Sequence, residues 1–262
     1  MWFTSIVKFS LFLFIFNSTI IYAKPLELTF AFQNTINYPY QTENNNNINW
    51  NKPGILLEML KLVEKKINIK IHFKRFPWKR ALFELKEGNV DGLFEASFKK
   101  KRLEFGLYPL KNGKVDEQRR TNYNSYYLYK RKKSKLSWNG IFFKYASKGI
   151  CAEREYSIVD DLRKKGVIVL ELSETTKCLL LLNSNKVDGV AALQLAGDTI
   201  IKKNKNMSNI VKVKPSLSTK AYYLMLSHQF VKKHPKIAEI IWDTIAEVRE
   251  SQDMELINKK YF

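Results

Sequence analysis

From Pro25 onward the chain places apolar side chains in two alternating rhythms. Leu26, Leu28, Phe30 and Phe32 fall on every second position, which predicts a strand with one buried face. After Pro53-Gly54 the rhythm changes. Leu56, Met59, Leu60, Val63 and Ile67 follow helical spacing and predict an amphipathic helix. Alternation returns from Ile67 to Phe73, with Asn68, Lys70 and His72 on the opposite side, and predicts a second strand. Pro77 suits the first turn of another helix, which Gly88 is placed to end. Val90 to Phe94 reads as a third strand.

The same order returns later. Gly149 to Cys151, Val167 to Glu171 and Val187 to Ala191 read as strands, with helices over Ser157 to Lys165 and Glu174 to Asn183. The two stretches align at an offset of 97, so that Val90-Asp91-Gly92 falls on Val187-Asp188-Gly189, and Ile71 and Phe73 fall on Ile168 and Leu170. Strands alternating with helices specify parallel βαβ units, hence an α/β fold, and two such runs specify two similar lobes. Ala221 to Leu226 reads as a further strand. Pro235 opens an amphipathic helix through Ile237, Ile240, Ile241, Ile245 and Val248 that lacks a sheet of its own. That C-terminal part is expected to return to the first lobe. Residues 24–125 with 217–262 then form a discontinuous lobe one and 126–216 form lobe two. The chain crosses between them at Tyr126 to Lys130 and at Val211 to Tyr222, and two crossings make a hinge.

The first 23 residues stand apart. They carry one charge, Lys8, then an apolar run from Phe9 to Ile21 interrupted by polar residues, then Ala23. This is the layout of a secretory signal peptide cleaved after Ala23. A retained anchor is the alternative, but the run is shorter than the roughly 20 apolar residues that span a bilayer. The expected location is therefore a periplasm, where Cys151 and Cys178, the two cysteines of the chain, read as one disulfide rather than two separate buried thiols. The formal net charge is +20. With export in prospect it is not read as a nucleic-acid surface. It reads either as lysine-rich solvated faces or as a field for anionic ligands or an anionic envelope surface. The run Asn44 to Asn47 reads as a mobile loop.

In open α/β sheets ligands bind beyond the carboxyl ends of the strands, where helix N-termini offer unpaired N–H groups. Lobe one there offers Phe76, Trp78 and Arg80, and the offset places Ser173, Thr175 and Lys177 opposite them. After the third strands come Glu95 and Ser97 in lobe one, and Ala192 and Gln194 in lobe two. Each has a plainer alternative: core packing for Trp78, solvent for Arg80, a lysine partner for Glu95. Tyr40, in Tyr38-Pro39-Tyr40, is a stacking candidate at the cleft mouth or part of a plain turn. No catalytic residue, metal site or cofactor is expected. The three histidines are scattered, and neither a nucleophile elbow nor a phosphate-cradling glycine loop occurs.

Gly54-Ile55-Leu56-Leu57-Glu58, Pro77-Trp78-Lys79-Arg80, Leu85 through Gly92, Arg102-Leu103-Glu104-Phe105, Tyr108-Pro109 and Glu155-Tyr156-Ser157 follow in an order that resembles family 3 of the bacterial extracellular solute-binding proteins. The resemblance covers essentially the whole chain after Ala23. It implies the two-lobed type II periplasmic-binding fold and capture of a small polar solute, usually for an importer with a membrane permease. A sensing role beside a membrane signalling protein and a cleft enzyme such as a dehydratase are the alternatives. The resemblance also implies that Arg102 holds an acidic group of the ligand, exposed while the site stands open and empty, and it brings Tyr156 to the cleft. Where relatives that bind amino acids carry an aspartate after the second-lobe strand, this chain reads Ala192-Leu193-Gln194, which leaves the ligand's ammonium without its usual partner. A monomer is expected.

Overall fold

The computed structural model describes residues 24–42 and 47–261. The expected signal segment and Asn44 to Asn46 of the asparagine run lie outside the described residues. In chain order the elements begin with β1 (Leu26–Gln33), α1 (Ile55–Ile67), β2 (Ile69–Phe76), α2 (Trp78–Lys86) and β3 (Gly92–Ser97). A small hairpin of β4 (Leu110–Lys111) and β5 (Lys114–Val115) leads to the long β6 (Asn122–Arg131). A second hairpin, β7 (Ser137–Trp138) and β8 (Phe143–Lys144), precedes β9 (Ile150–Glu153), α3 (Ser157–Lys164), β10 (Val169–Leu172), α4 (Thr175–Asn183), β11 (Gly189–Leu193) and α5 (Gln194–Lys203). The chain closes with β12 (Ile210–Leu226), α6 (His228–Lys233), α7 (Pro235–Arg249) and α8 (Gln252–Tyr261).

One eight-stranded sheet runs through the molecule in the order β10-β9-β11-β6-β12-β3-β1-β2. Each end is a parallel trio in which the first strand of its unit is central: β1 between β2 and β3, β9 between β10 and β11. The middle is the antiparallel pair β6 and β12. Strands buried on both faces need a helix on each side. At the β1 end, Phe30, Phe32 and Phe94 pack under α1 and α7, while Ala31, Leu93 and Ala96 pack against Ala81, Leu82 and Leu85 of α2. At the β9 end, Ile150 and Ala152 pack against Ile158, Val159 and Leu162 of α3, and Cys151 and Val190 against Leu179 and Leu182 of α4. The C-terminal helix α7 does lie against α1, on the first unit.

Several boundaries differ from the sequence pattern, each for a local reason. Ile67 ends α1 rather than opening a strand, because Asn68 takes a left-handed conformation (φ 52°) and caps the helix before β2 begins. The offset of 97 fails at β10. There Val169, not Ile168 or Leu170, turns toward the core, and Ile168 and Leu170 are exposed. A slip of one residue exchanges the two faces of a strand. β12 is one 17-residue strand rather than a short one, and its pairing with β6 is interrupted between Val213 and Ser218. At the start of α1, Gly54 has φ 119°, and a Cβ there would meet the Tyr40 carbonyl oxygen at 2.3 Å, so the tight entry into this helix requires glycine. Cys151 and Cys178 form a disulfide with a Cα–Cα distance of 5.5 Å, joining β9 to α4.

Candidate functional site

The carboxyl ends of β1, β3 and β9 and the start of α4 converge on a cavity of about 460 Å³. Its walls come from both ends of the sheet. Gln33, Asn37, Trp78, Glu95, Ser97 and Arg102 come from the β1 end, and Glu153, Tyr156 and Thr175 from the β9 end, with Tyr126 and Tyr222 of the two central strands between them.

Glu95 reaches the cavity through a backbone irregularity. Two residues of β3, Phe94 and Glu95, stand opposite the single Leu224 of β12, and Glu95 adopts φ 62°. This bulge puts Leu93 and Ala96 on one face and frees the Glu95 side chain from strict alternation. Bulges and left-handed non-glycine residues collect at functional sites because the strain is tolerated only where the surroundings fix it. The carboxylate accepts hydrogen bonds from Asn37 Nδ2 at 2.8 Å and from Gln41 Nε2. Burial nevertheless pushes its pKa up to about 7, against the opposing pull of those two donors.

Glu153, the last residue of β9, mirrors it from the other end. It accepts from Gln33 Nε2 at 2.5 Å and from Thr175 Oγ1 at 3.0 Å. Burial pushes its pKa up to about 7 as well, opposed by the hydrogen bonds of Thr175 and Gln33. Gln33 also accepts the Tyr156 hydroxyl at 2.6 Å, so one amide links both ends of the sheet.

Arg102 is buried, only 3% exposed, and its fork is engaged by protein oxygens. Nη1 donates to the Ser97 carbonyl at 2.8 Å and to Ser97 Oγ at 3.1 Å, and Nη2 donates across the cleft to the Glu155 carbonyl at 2.7 Å. The guanidinium carbon lies 5.0 Å from the centre of the Trp78 ring. An exposed Arg102 was the expectation for an open, empty site; in this arrangement the two ends meet and bury it. Glu155 has φ 63°, a left-handed backbone conformation that favours glycine. Outside the cavity, Lys99 pairs with Asp160 at 2.7 Å and Lys220 with Asp161, so ion pairs also tie the first unit and β12 to α3.

Of the residues expected at the site, Arg102, Trp78, Glu95, Tyr156 and Thr175 line one cavity. Three others are placed elsewhere. Arg80 points to solvent and pairs with Glu84 one helical turn on. Tyr40 directs its hydroxyl to the Tyr123 carbonyl. Gln194 begins α5, where its carbonyl accepts the Tyr129 hydroxyl, and Leu193 and Ala196 reach the cavity in its stead. The sequence reading missed Glu153, Gln33 and Asn37. Among the described residues no group of histidine, cysteine or acidic side chains is arranged to hold a metal ion, and no helix is long and apolar enough to cross a membrane.

The sequence profile of the bacterial extracellular solute-binding proteins, family 3, matches residues 28–262. No curated protein sequence matches significantly. Among solved structures, a histidine kinase sensor domain with similarity to periplasmic binding proteins superposes with a TM-score of 0.70 at 16% identity, covering 91% of this chain and 97% of that one. An ancestral arginine-binding protein bound to glutamine gives 0.66 at 17% identity, covering 90% and 97%. A substrate-binding protein of an ABC uptake transporter from Streptococcus pneumoniae, with bound histidine, gives 0.66 at 15% identity, covering 90% and 92%. At these identities the likeness shows the fold, which is that of periplasmic binding proteins.

Proposed function

Because this chain belongs to family 3 of the bacterial extracellular solute-binding proteins, we propose that it is exported, captures one small polar solute in the cavity between the two ends of its sheet, and delivers it to a membrane importer. The observation that carries this reading is the cavity itself: polar side chains from both ends of the sheet, at the carboxyl ends of the strands, around a volume suited to a small molecule. Residues 24–125 with 217–262 rotate against 126–216. The interrupted pairing between Val213 and Ser218 supports a pivot there, since a ladder with missing hydrogen bonds bends more readily than a continuous one. Gln33, Arg102 and Lys99 then act as closing contacts. The chain works as a monomer and catalyses nothing. Its signal peptide is cleaved after Ala23, so mass spectrometry of the periplasmic protein gives Lys24 as the first residue; a full-length chain sedimenting with membranes would mean an anchor.

An acidic group of the ligand docks beside Trp78 and Arg102. Trp78 Nε1 is a buried donor with no acceptor among the described residues, and the guanidinium stands next to its ring. A thermal-shift screen of amino acids, organic acids, sugars and polyamines identifies the ligand, and calorimetry then measures its affinity. Arg102→Ala weakens it roughly tenfold to a hundredfold, the equivalent of one charge-assisted hydrogen bond. Because Arg102 also ties Ser97 to Glu155, this change lowers stability too. Trp78→Phe removes the donor and keeps an aromatic ring; it weakens binding and, because the indole is also part of the buried core, lowers the melting temperature somewhat. Wild-type affinity in both variants would move the acid subsite elsewhere. Turnover of the bound compound would instead favour a cleft enzyme.

The superposition on a kinase sensor domain favours one second reading, a binding protein that reports to a membrane signalling protein. Neighbouring genes discriminate: a permease and ATPase favour import, a signalling protein favours sensing.

A further inference from the structure

The geometry points to a ligand of net positive charge, with a cationic nitrogen held by Glu95 from one end of the sheet and Glu153 from the other; this rests on the reading that the cavity takes a small solute. The buried charges on the cavity wall do not balance. Two carboxylates face one guanidinium, since the fourth charged wall residue, Glu174, is exposed and pairs with Lys177 at 3.1 Å. Among the described residues neither Glu95 nor Glu153 has a cationic partner within 4.0 Å, and Arg102 bonds Ser97 and the Glu155 carbonyl rather than either carboxyl group. Neutral amide and hydroxyl donors alone hold the two carboxyl groups, so once ionised they have no opposite charge in the protein, and a cationic ligand supplies it.

A second observation concerns hydrogen-bond capacity rather than charge. Asn37 is 6% exposed and lines the cavity, and its Nδ2 is committed to Glu95. Its Oδ1 is an acceptor without a donor among the described residues. That oxygen beside the two Glu95 oxygens makes a cluster of acceptors, which a protonated amine with several N–H groups satisfies and a carboxylate does not. The aromatic walls Tyr126, Tyr156 and Tyr222 suit the same ligand, since ring faces attract a cation. An acid without a cationic group gives the two carboxyl groups no opposite charge and is repelled wherever they are ionised. The carboxylates therefore occupy positions other than the aspartate that relatives place after the second-lobe strand.

Calorimetry with L-lysine and L-arginine as cations, and succinate and L-glutamate as acids, decides the matter. At least one cation binds the wild type and succinate does not. Glu95→Gln and Glu153→Gln each weaken that cation roughly tenfold to a hundredfold. The wild-type preference needs no variant, so a folding defect in either substitution leaves the test intact. Binding of an acid but of neither cation would overturn the charge assignment while leaving capture of a solute in place. Binding of none of the four would overturn the assignment as well. In that case the wider thermal-shift screen decides on capture itself: a neutral ligand keeps it, and no ligand of any class removes it.

Discussion

Between about pH 5 and about pH 8, the empty wild-type protein loses several kcal/mol of unfolding free energy relative to a Glu95→Gln/Glu153→Gln variant. Both carboxyl groups sit in the fold with pKa values raised to about 7 by burial. In the unfolded chain each titrates in the ordinary carboxylate range near 4.3. Below that range both states carry the proton and these groups cost nothing. Between it and pH 7 the folded protein holds protons that the unfolded chain has released, so stability falls as pH rises through this window. Above about 7 the penalty is complete, roughly 2–4 kcal/mol for each group. Glutamine has the same shape and supplies a neutral acceptor for Asn37 or Gln33, so the variant lacks this pH dependence. Denaturant unfolding curves at both pH values check it. The variant is the more stable at both, and its advantage grows by several kcal/mol from about pH 5 to about pH 8. Parallel pH profiles would mean that the carboxylates are hydrated or paired.

Removing the disulfide costs roughly 3–4 kcal/mol, model-dependent, for a loop of this length. The effect should also reach the site. Cys151 lies two residues before Glu153 in β9, and Cys178 lies one turn after Thr175 in α4. The bridge thus fixes the strand and helix that hold the Thr175–Glu153 hydrogen bond. A Cys151→Ala/Cys178→Ala variant melts at lower temperature and binds its ligand more weakly. Unreduced, denatured wild type titrates no free thiol. Two titratable thiols, or a variant as stable as the wild type, would show that the bridge does not form in the cell.

What the sequence made legible follows from what each signal encodes. Periodicity and turn residues specify strands and helices, so the two βαβ runs could be read directly. Trp78 and Thr175 came from a positional rule, that strand ends and the next helix starts carry ligands. Glu153 escaped that rule because the repeat has no single offset. The third strands correspond at 97 residues, Gly92 to Gly189, while β1 and β9 correspond at 120, Phe30 to Ile150, through their pairing with those same glycines. Only the second offset sets Glu153 opposite Gln33, its hydrogen-bond partner across the cleft. Glu95 was placed at a strand end, but the bulge that turns it inward depends on Leu224 in a strand more than a hundred residues away. Arg80 shows the opposite failure. A charged residue at a helix start satisfied the rule, and Glu84, four residues on, captured it.

The most direct test of solute capture between the two ends of the sheet is calorimetric titration of the tightest compound from the screen into wild type and into Ala196→Trp. Ala196 lies on the cavity wall and takes no part in the hydrogen bonds of Glu95, Glu153 or Arg102, so the larger side chain fills the cavity and leaves those contacts in place. The expected result is one ligand per wild-type chain and no measurable binding to a variant that melts as a folded protein. Undiminished binding by the filled variant would contradict capture in this cavity.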